Sequence, residues 1–302
     1  MIKWLEDAVF YEVYPQSFRD SNGDGIGDIP GITEKLEYIQ ELGCNALWIN
    51  PCFTSPFYDA GYDVEDYYSV APRYGTNEDL KKLFEAAHQR GMHVLDLVPG
   101  HTAVTHPWFQ ESMKAEKNEY TDRYVWTDSL YKRMEDVKGI VSVLRGISPR
   151  PASCGVNCFS TQPALNYGFA NITDAGWQQP TDAPGPMATR EELKNIMRFW
   201  LTLGCDGFRV DMAGSLVKND EDKKETIRLW QDVRAFLNKE FPEAALVSEW
   251  GKPEVALEAG FDMDFYLHFG DTGYMDLFRG DHPYFGGDPE SDISVFAGIF
   301  AK

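Results

Sequence analysis

Two acids close neighbouring strand-like runs and are the residues here best suited to chemistry: Asp211 ends Gly207-Phe208-Arg209-Val210-Asp211, and Glu249 follows Ala245-Leu246-Val247-Ser248. Catalytic groups of parallel barrels stand at the C-terminal ends of strands. Two carboxyls roughly 5 Å apart there can cleave a glycosidic bond with retention, one as nucleophile and the other as acid and then base. Arg209 lies two residues before Asp211, on the same strand face, and is expected to keep that carboxylate ionised. Trp250 can set an apolar wall beside Glu249. By residue type alone, the two acids read equally well as ion-pair partners or solvated loop residues.

Two further constellations carry chemistry. In Asp20-x-Asn22-x-Asp24-Gly25-Ile26-x-Asp28, oxygen donors alternate along a turn opened by glycine, which is what a calcium loop requires; Ile26 would contribute its backbone carbonyl. It is not an EF-hand, because Gly31 stands at the twelfth position and a strand precedes it. In Tyr58-Asp59-Ala60-Gly61-Tyr62-Asp63, Asp59 can bond sugar hydroxyls and Tyr62 offers a stacking face, although the pattern is also good turn chemistry.

The elements that must position these residues alternate. Strand-like runs at 8–14, 46–50 and 94–98 are separated by helical patterns at 32–42 and from about 77 to 90, which is the rhythm of a parallel α/β sheet. Between about 102 and 175 the rhythm breaks into a Pro-, Gly-, Ser- and Asn-rich insertion, with short runs at 124–126 and 140–144. Trp108, Phe109 and Trp126 are expected to pack there rather than meet a ligand. The alternation resumes with helices at 190–203 and 220–240, strands at 207–210 and 245–248, and a sixth strand at 261–265. Three segments follow: an N-terminal barrel segment at 1–101, an inserted subdomain at 102–175, and a C-terminal, incomplete barrel segment at 176–302. Gly23-Asp24-Gly25-Ile26-Gly27-Asp28 would repel a pyrophosphate, so an α/β barrel of TIM type is expected, incomplete with about six βα units, rather than a dinucleotide fold.

Composition narrows the partners. The 302 residues sum 28 basic and 48 acidic side chains to −20, a field that disfavours nucleic acid. No apolar run approaches the roughly 18 residues of a membrane span, and the N-terminus lacks a signal-peptide pattern. Cys44, Cys52, Cys154, Cys158 and Cys205 are odd in number and scattered, as free thiols of a cytoplasmic protein would be; Cys154 and Cys158 stand close together. The sequence calls for no organic cofactor.

At these residues the chain resembles the α-amylase family of glycoside hydrolases, and within it the oligo-1,6-glucosidase and α-glucosidase group. Phe10-Tyr11-Glu12-Val13-Tyr14-Pro15-Gln16-Ser17-Phe18 and the acidic loop after it are similar to the group's first strand and metal loop. Asp59-Ala60-Gly61-Tyr62-Asp63 matches D-x-G-Y-D, and Asp96-Leu97-Val98-Pro99-Gly100-His101 resembles D-x-V-x-N-H with Gly100 in place of Asn. Gln162-Pro163-Ala164-Leu165-Asn166 is similar to Q-P-D-L-N, with Ala164 in place of Asp. The resemblance implies Asp211 as nucleophile and Glu249 as proton donor. It also implies sugar or nucleophile support from Asp59, Tyr62, His101 and Arg209, an approach by Phe159 and Gln162 from the insertion, and Met212 as a specificity residue.

The implied activity is removal of terminal α-glucose from short oligosaccharides. The alternatives are glucosyl transfer, as in trehalose synthases and sucrose isomerases, and a non-catalytic sugar-binding barrel. The family's third carboxylate, in N-H-D after the seventh strand, has no counterpart; His268-Phe269-Gly270-Asp271 directly follows the sixth strand. The chain is therefore expected to be a piece of a longer reading frame and inactive by itself.

Overall fold

The computed structural model describes residues 2–267, 274–279 and 281–300; the His268–Asp271 segment lies outside them. β1 (Phe10–Val13) leads through α1 (Pro15–Phe18) and an acidic loop to α2 (Ile29–Glu34) and α3 (Leu36–Glu41). The helical pattern at 32–42 is thus two helices, broken at Lys35 (φ −105°, ψ 8°). Ile32, Leu36 and Ile39 stay fully buried across the break, so the apolar stripe survives it. β2 (Ala46–Ile49) follows, then a small antiparallel pair, β3 (Phe53–Thr54) and β4 (Asp66–Val70). α4 (Asn77–His88) begins at a capping box in which Thr76 and Asp79 bond each other's backbone; the cap is Thr76, one residue before the Asn-Glu-Asp run.

After β5 (His93–Leu97), the insertion holds α5 (Pro107–Ser112) and an antiparallel pair, β6 (Ser142–Leu144) and β7 (Cys154–Val156). α6 (Pro184–Leu203), β8 (Gly207–Val210), α7 (Lys224–Glu240), β9 (Ala245–Ser248), α8 (Pro253–Glu258) and β10 (Met263–Asp264) restore the alternation, and α9 (Tyr274–Phe278) and α10 (Ser294–Phe300) come last.

Six strands form one sheet in the order β1-β2-β5-β8-β9-β10, every pairing parallel. The sheet is not closed among the described residues. β8 and β9 are buried along their whole length, as parallel strands covered on both faces must be. The insertion shares this core: Tyr124, Trp126, Leu165 and Tyr167 pack with the barrel residues, and a smaller cluster gathers Val125, Met134, Val137, Ala164 and Phe169. Phe109 stacks parallel to Trp126, and Trp108 lies against Tyr67, so these rings are packing elements, as expected.

At the N-terminal end of the sheet, His88 Nε2 and His93 Nδ1 bond the two oxygens of Asp206 at 2.8 and 3.0 Å, and Trp4 stacks on His93. The three polar side chains satisfy one another and tie α4 to the starts of β5 and β8.

The C-terminal end is pinned differently. Tyr67 Oη lies 3.0 Å from the Val98 carbonyl and 2.6 Å from that of His101, and Tyr167 Oη lies 2.8 Å from that of Pro99. Buried hydroxyls thus satisfy the carbonyls where β5 leaves the ladder. Gly207 opens β8 at φ 151°, and a Cβ there would stand 2.2 Å from the Ala245 carbonyl oxygen. Gly207→Ala therefore forces β8 from β9 and is expected to cost at least about 2 kcal/mol, read as a lowered denaturation midpoint with unchanged slope.

Candidate active site

The strand ends deliver the expected pair. Asp211 follows β8 and Glu249 follows β9, and their backbones interlock: Glu249 N donates to the Val210 carbonyl at 2.9 Å, and Ala213 N to that of Glu249 at 3.2 Å. One guanidinium serves both acids. Arg209 Nη1 lies 3.0 Å from Asp211 Oδ1, and Nη2 lies 2.8 Å from Glu249 Oε1. The Arg209 carbon sits 4.9 Å from the Trp48 ring centre and 5.8 Å from that of Tyr62, so the cation is fixed by aromatic faces as well as by acids.

Met212 turns the chain at φ 45°, ψ 40°, a left-handed conformation costly for a side-chain-bearing residue. The turn directs its N–H onto Glu249 Oε2 at 3.0 Å. Glu249 is thereby held at both oxygens.

Asp211 is 7% exposed, and burial pushes its carboxyl from the ordinary 3.8 up to about 7, against the pull of Arg209 and with the push of Glu249. The expectation that Arg209 keeps Asp211 ionised is corrected to this extent: the ion pair forms, but desolvation outweighs it. A proton is then readily held by the carboxyl pair.

The loops complete a cavity of about 620 Å³, lined by Asp59, Tyr62, His101, Arg209, Asp211 and Glu249 together with Met212, Cys158, Trp250 and others. Asp59 and Tyr62 stand on a loop with Phe57, Ala60 and Gly61 at positive φ. Buried Asp63 organises it, accepting from Ser55 Oγ (3.0 Å), Asp59 N (3.1 Å) and Tyr58 N (2.8 Å). Asp264 does the same for the Glu249 loop, gathering Ser248 Oγ and the N–H groups of Trp250, Gly251 and Lys252. Trp250 packs on Gly214, where any Cβ would stand 2.4 Å from its Nε1.

From the insertion, buried Gln162 donates Nε2 to Asp59 Oδ2 at 2.6 Å. Phe159 is not brought to the cavity: its ring is 56% exposed, and only its backbone N–H takes part, bonded to Gln162 Oε1. Sequence reasoning did not single out Asp63, Asp264, Asn157 or Lys218. An acid at the end of β10 was visible, but its targets were not.

In the acidic loop the donors face the loop's own backbone. Asp20 accepts from the N–H groups of Asn22, Gly23 and Gly25, Asn22 from Asp24, and Asp24 from Ile26. These amides hold the Asp20 carboxyl below its usual range. Asp28 caps α2 through Gly31 N at 2.7 Å and also accepts from Ser21. The oxygens are all hard donors of the kind calcium takes, and Gly23 and Gly25 turn the chain at positive φ; the Asp20, Asp24 and Asp28 carboxylates are directed to backbone amides and do not converge on one point. The five cysteines form no disulfide, Cys154 and Cys158 included.

The profile of the alpha-amylase catalytic domain matches residues 12–262. This chain belongs to the alpha-amylase family. It is 40% identical over 257 residues to the trehalose synthase/amylase TreS of Mycolicibacterium smegmatis, covering 82% of this chain and 40% of TreS. It is 38% identical over 219 residues to an oligo-1,6-glucosidase of Bacillus sp. strain F5, covering 72% and 40% of the two chains. A family GH13_31 enzyme superposes with a TM-score of 0.77 at 25% identity, over 99% of this chain and 56% of that one. A mutant of the trehalulose synthase MutB gives 0.76 at 28%, over 99% and 54%. The chain spans about two-fifths of the length of these curated relatives. This alpha-amylase catalytic domain is thus that of an enzyme from a hydrolase and transferase family whose structures are (β/α)8 barrels.

The raised Asp211 carboxyl carries a stability consequence. Folded Asp211 binds its proton more tightly than the unfolded chain, so its contribution is full below the ordinary 3.8 and is lost as pH rises through about 7. Asp211→Asn is expected to melt above the parent protein at pH 8, by about 2 kcal/mol, and to converge with it near pH 4; calorimetry at the two pH values checks this.

Proposed function

We propose that this domain processes α-glucosides with retention of configuration, taking terminal α-glucose from the non-reducing ends of short oligosaccharides. The observation that carries the reading is the single guanidinium shared by Asp211 and Glu249 in a cavity that also holds Asp59, Tyr62 and His101. In the first step the reactive form carries its one proton on Glu249, although burial favours a proton on Asp211 at rest. Asp211, as the carboxylate, attacks the anomeric carbon while Glu249 gives its proton to the departing oxygen, leaving a glucosyl ester on Asp211. In the second, Glu249 takes a proton from the incoming hydroxyl, which displaces Asp211. Arg209 stays on both acids and offsets their charge as it moves from one to the other. Asp59, with Gln162 behind it, bonds glycone hydroxyls, His101 supports the glycone end, and Tyr62 stacks on the ring.

A second reading, transfer to a sugar acceptor rather than water, is supported by the 40% identity to a trehalose synthase/amylase. The glucosyl ester serves both, and Met212, beside the nucleophile, is the candidate for choosing between them.

Among the described residues the sheet is open at β1 and β10, and the chain spans about two-fifths of the length of the curated relatives it matches; on that ground we infer that these 302 residues by themselves do not turn substrate over. We place the protein in a reducing, cytoplasmic setting, where its thiols persist. No helix among the described residues is long and apolar enough to cross a membrane. Calcium would be held by Asp20, Asn22, Asp24, Asp28 and the Ile26 carbonyl, where it supplies rigidity to the first βα loop.

The test incubates p-nitrophenyl-α-glucoside, maltose and isomaltose with this chain and with the longest polypeptide its gene encodes, following products by NMR. Expected are turnover with the α-anomer formed first, and at least about a thousandfold loss in Asp211→Asn and Glu249→Gln. Binding without turnover in the longest polypeptide would make the barrel a sugar-binding scaffold. For calcium, the melting temperature is expected to fall on chelation and recover with Ca2+, and Asp24→Ala is expected to be insensitive to both.

A further inference from the structure

Behind His101, at the glycone end of the cavity, lies a buried polar chain whose members Asn157 and Lys218 the reaction steps above do not use. Gly100 leaves its side-chain position open, and Asn157, which follows β7 in the insertion, fills the gap: a Cβ on Gly100 would stand 2.6 Å from Asn157 Nδ2. That nitrogen lies 3.3 Å from His101 Nδ1. On the other side Asn157 Oδ1 accepts from Lys218 Nζ at 3.2 Å, and Lys218 also donates to the Ser215 carbonyl at 2.8 Å. His101 Nε2 lies 3.1 Å from the Tyr62 carbonyl. Asn157, His101 and Lys218 are all at most 2% exposed, so each polar atom depends on these partners.

The directions are fixed by chemistry. Burial lowers the Lys218 amine to about 7, but its two contacts are both to oxygens, the Ser215 carbonyl and Asn157 Oδ1, to which it donates; the oxygen of Asn157 therefore faces Lys218 and its NH2 faces His101. His101 Nδ1 must then accept, which leaves the ring proton on Nε2, where the Tyr62 carbonyl takes it. Three connections that are distant in sequence, at His101, Asn157 and Lys218, meet in this chain.

We propose that Asn157 is a positioning residue for the glycone end of the site: it occupies the space left by Gly100, fixes His101 in its Nε2–H form and, through His101, holds the segment that carries Tyr62. The proposal rests on the α-glucoside reading for its effect on catalysis, but not for its effect on His101.

Asn157→Asp keeps the size and the Lys218 contact but replaces the donor facing His101 by an acceptor. In the longest polypeptide, the ring-nitrogen NMR signals of His101 are expected to move from the Nε2–H to the Nδ1–H pattern. Inhibition by 1-deoxynojirimycin, a glucose-shaped probe, is expected to weaken at least tenfold, with KM rising more than kcat falls. The swap Gly100→Asn with Asn157→Gly returns an amide to the same space and is expected to recover most of the probe affinity that Asn157→Gly alone loses. An unchanged His101 pattern in Asn157→Asp overturns the proposal. So does a folded swap, judged by its melting curve, that recovers no affinity. Should Asn157→Asp fail to fold, Asn157→Ser read by the same signals decides in its place. Absence of turnover in the parent protein would sink the glucosidase reading while the NMR outcome still decides the role of Asn157.

Discussion

The guanidinium of Arg209 faces two carboxyls whose charges would repel each other, at a largely buried position on the wall of the cavity, and most of the C-terminal end of the sheet is arranged around that arrangement. A buried ion costs several kcal/mol unless it is paired and its remaining donors are directed. Here Asp211 and Glu249 supply the pairing, Trp48 and Tyr62 supply flat faces, and the left-handed turn at Met212 adds an N–H to Glu249. The result is an Asp211 carboxyl with more affinity for a proton than it would have in water, brought near neutral pH, where acid/base chemistry is useful.

That centre would be poorly defined if the loops around it were loose. Each loop has its own polar organiser: buried Asp63 for the Asp59–Tyr62 turn, half-buried Asp264 for the Glu249 turn, and buried Tyr67 with Tyr167 for the chain between Val98 and His101. These groups never line the cavity, yet the orientation of those that do depends on them. The alpha-amylase fold thus separates two tasks along each βα unit. Most strand positions are apolar, with Arg209 in β8 the residue that carries charge to the site, while the loops after the strands are polar and specific.

Much of this was legible in the sequence because the signals are local. Strand-helix alternation gave the parallel sheet, and Gly207–Val210 and Ala245–Ser248 are strands over the expected bounds. The acids after them stand together as the periodicity implies. Boundaries slipped where local signals compete. The 32–42 pattern keeps one apolar stripe but breaks at Lys35, and the helix expected from 190 begins at Pro184. β3, at two residues, is too short to leave a pattern, and β4 is mixed in burial and, among the described residues, pairs only with β3.

By itself the sequence determined which residue types stand at which strand ends, the glycines that permit close approach, and the family to which these motifs belong. Tertiary structure alone decided the balance between desolvation and the Arg209 ion pair at Asp211, because burial is a property of the packed barrel and not of two neighbouring letters. It alone turned Phe159 outward and Gln162 inward, and it alone brought Asn157 and Lys218 behind His101 across separations of 56 and 61 residues. Hydrogen bonds formed over such distances leave no periodic trace in the chain, since their partners are chosen by the folded geometry.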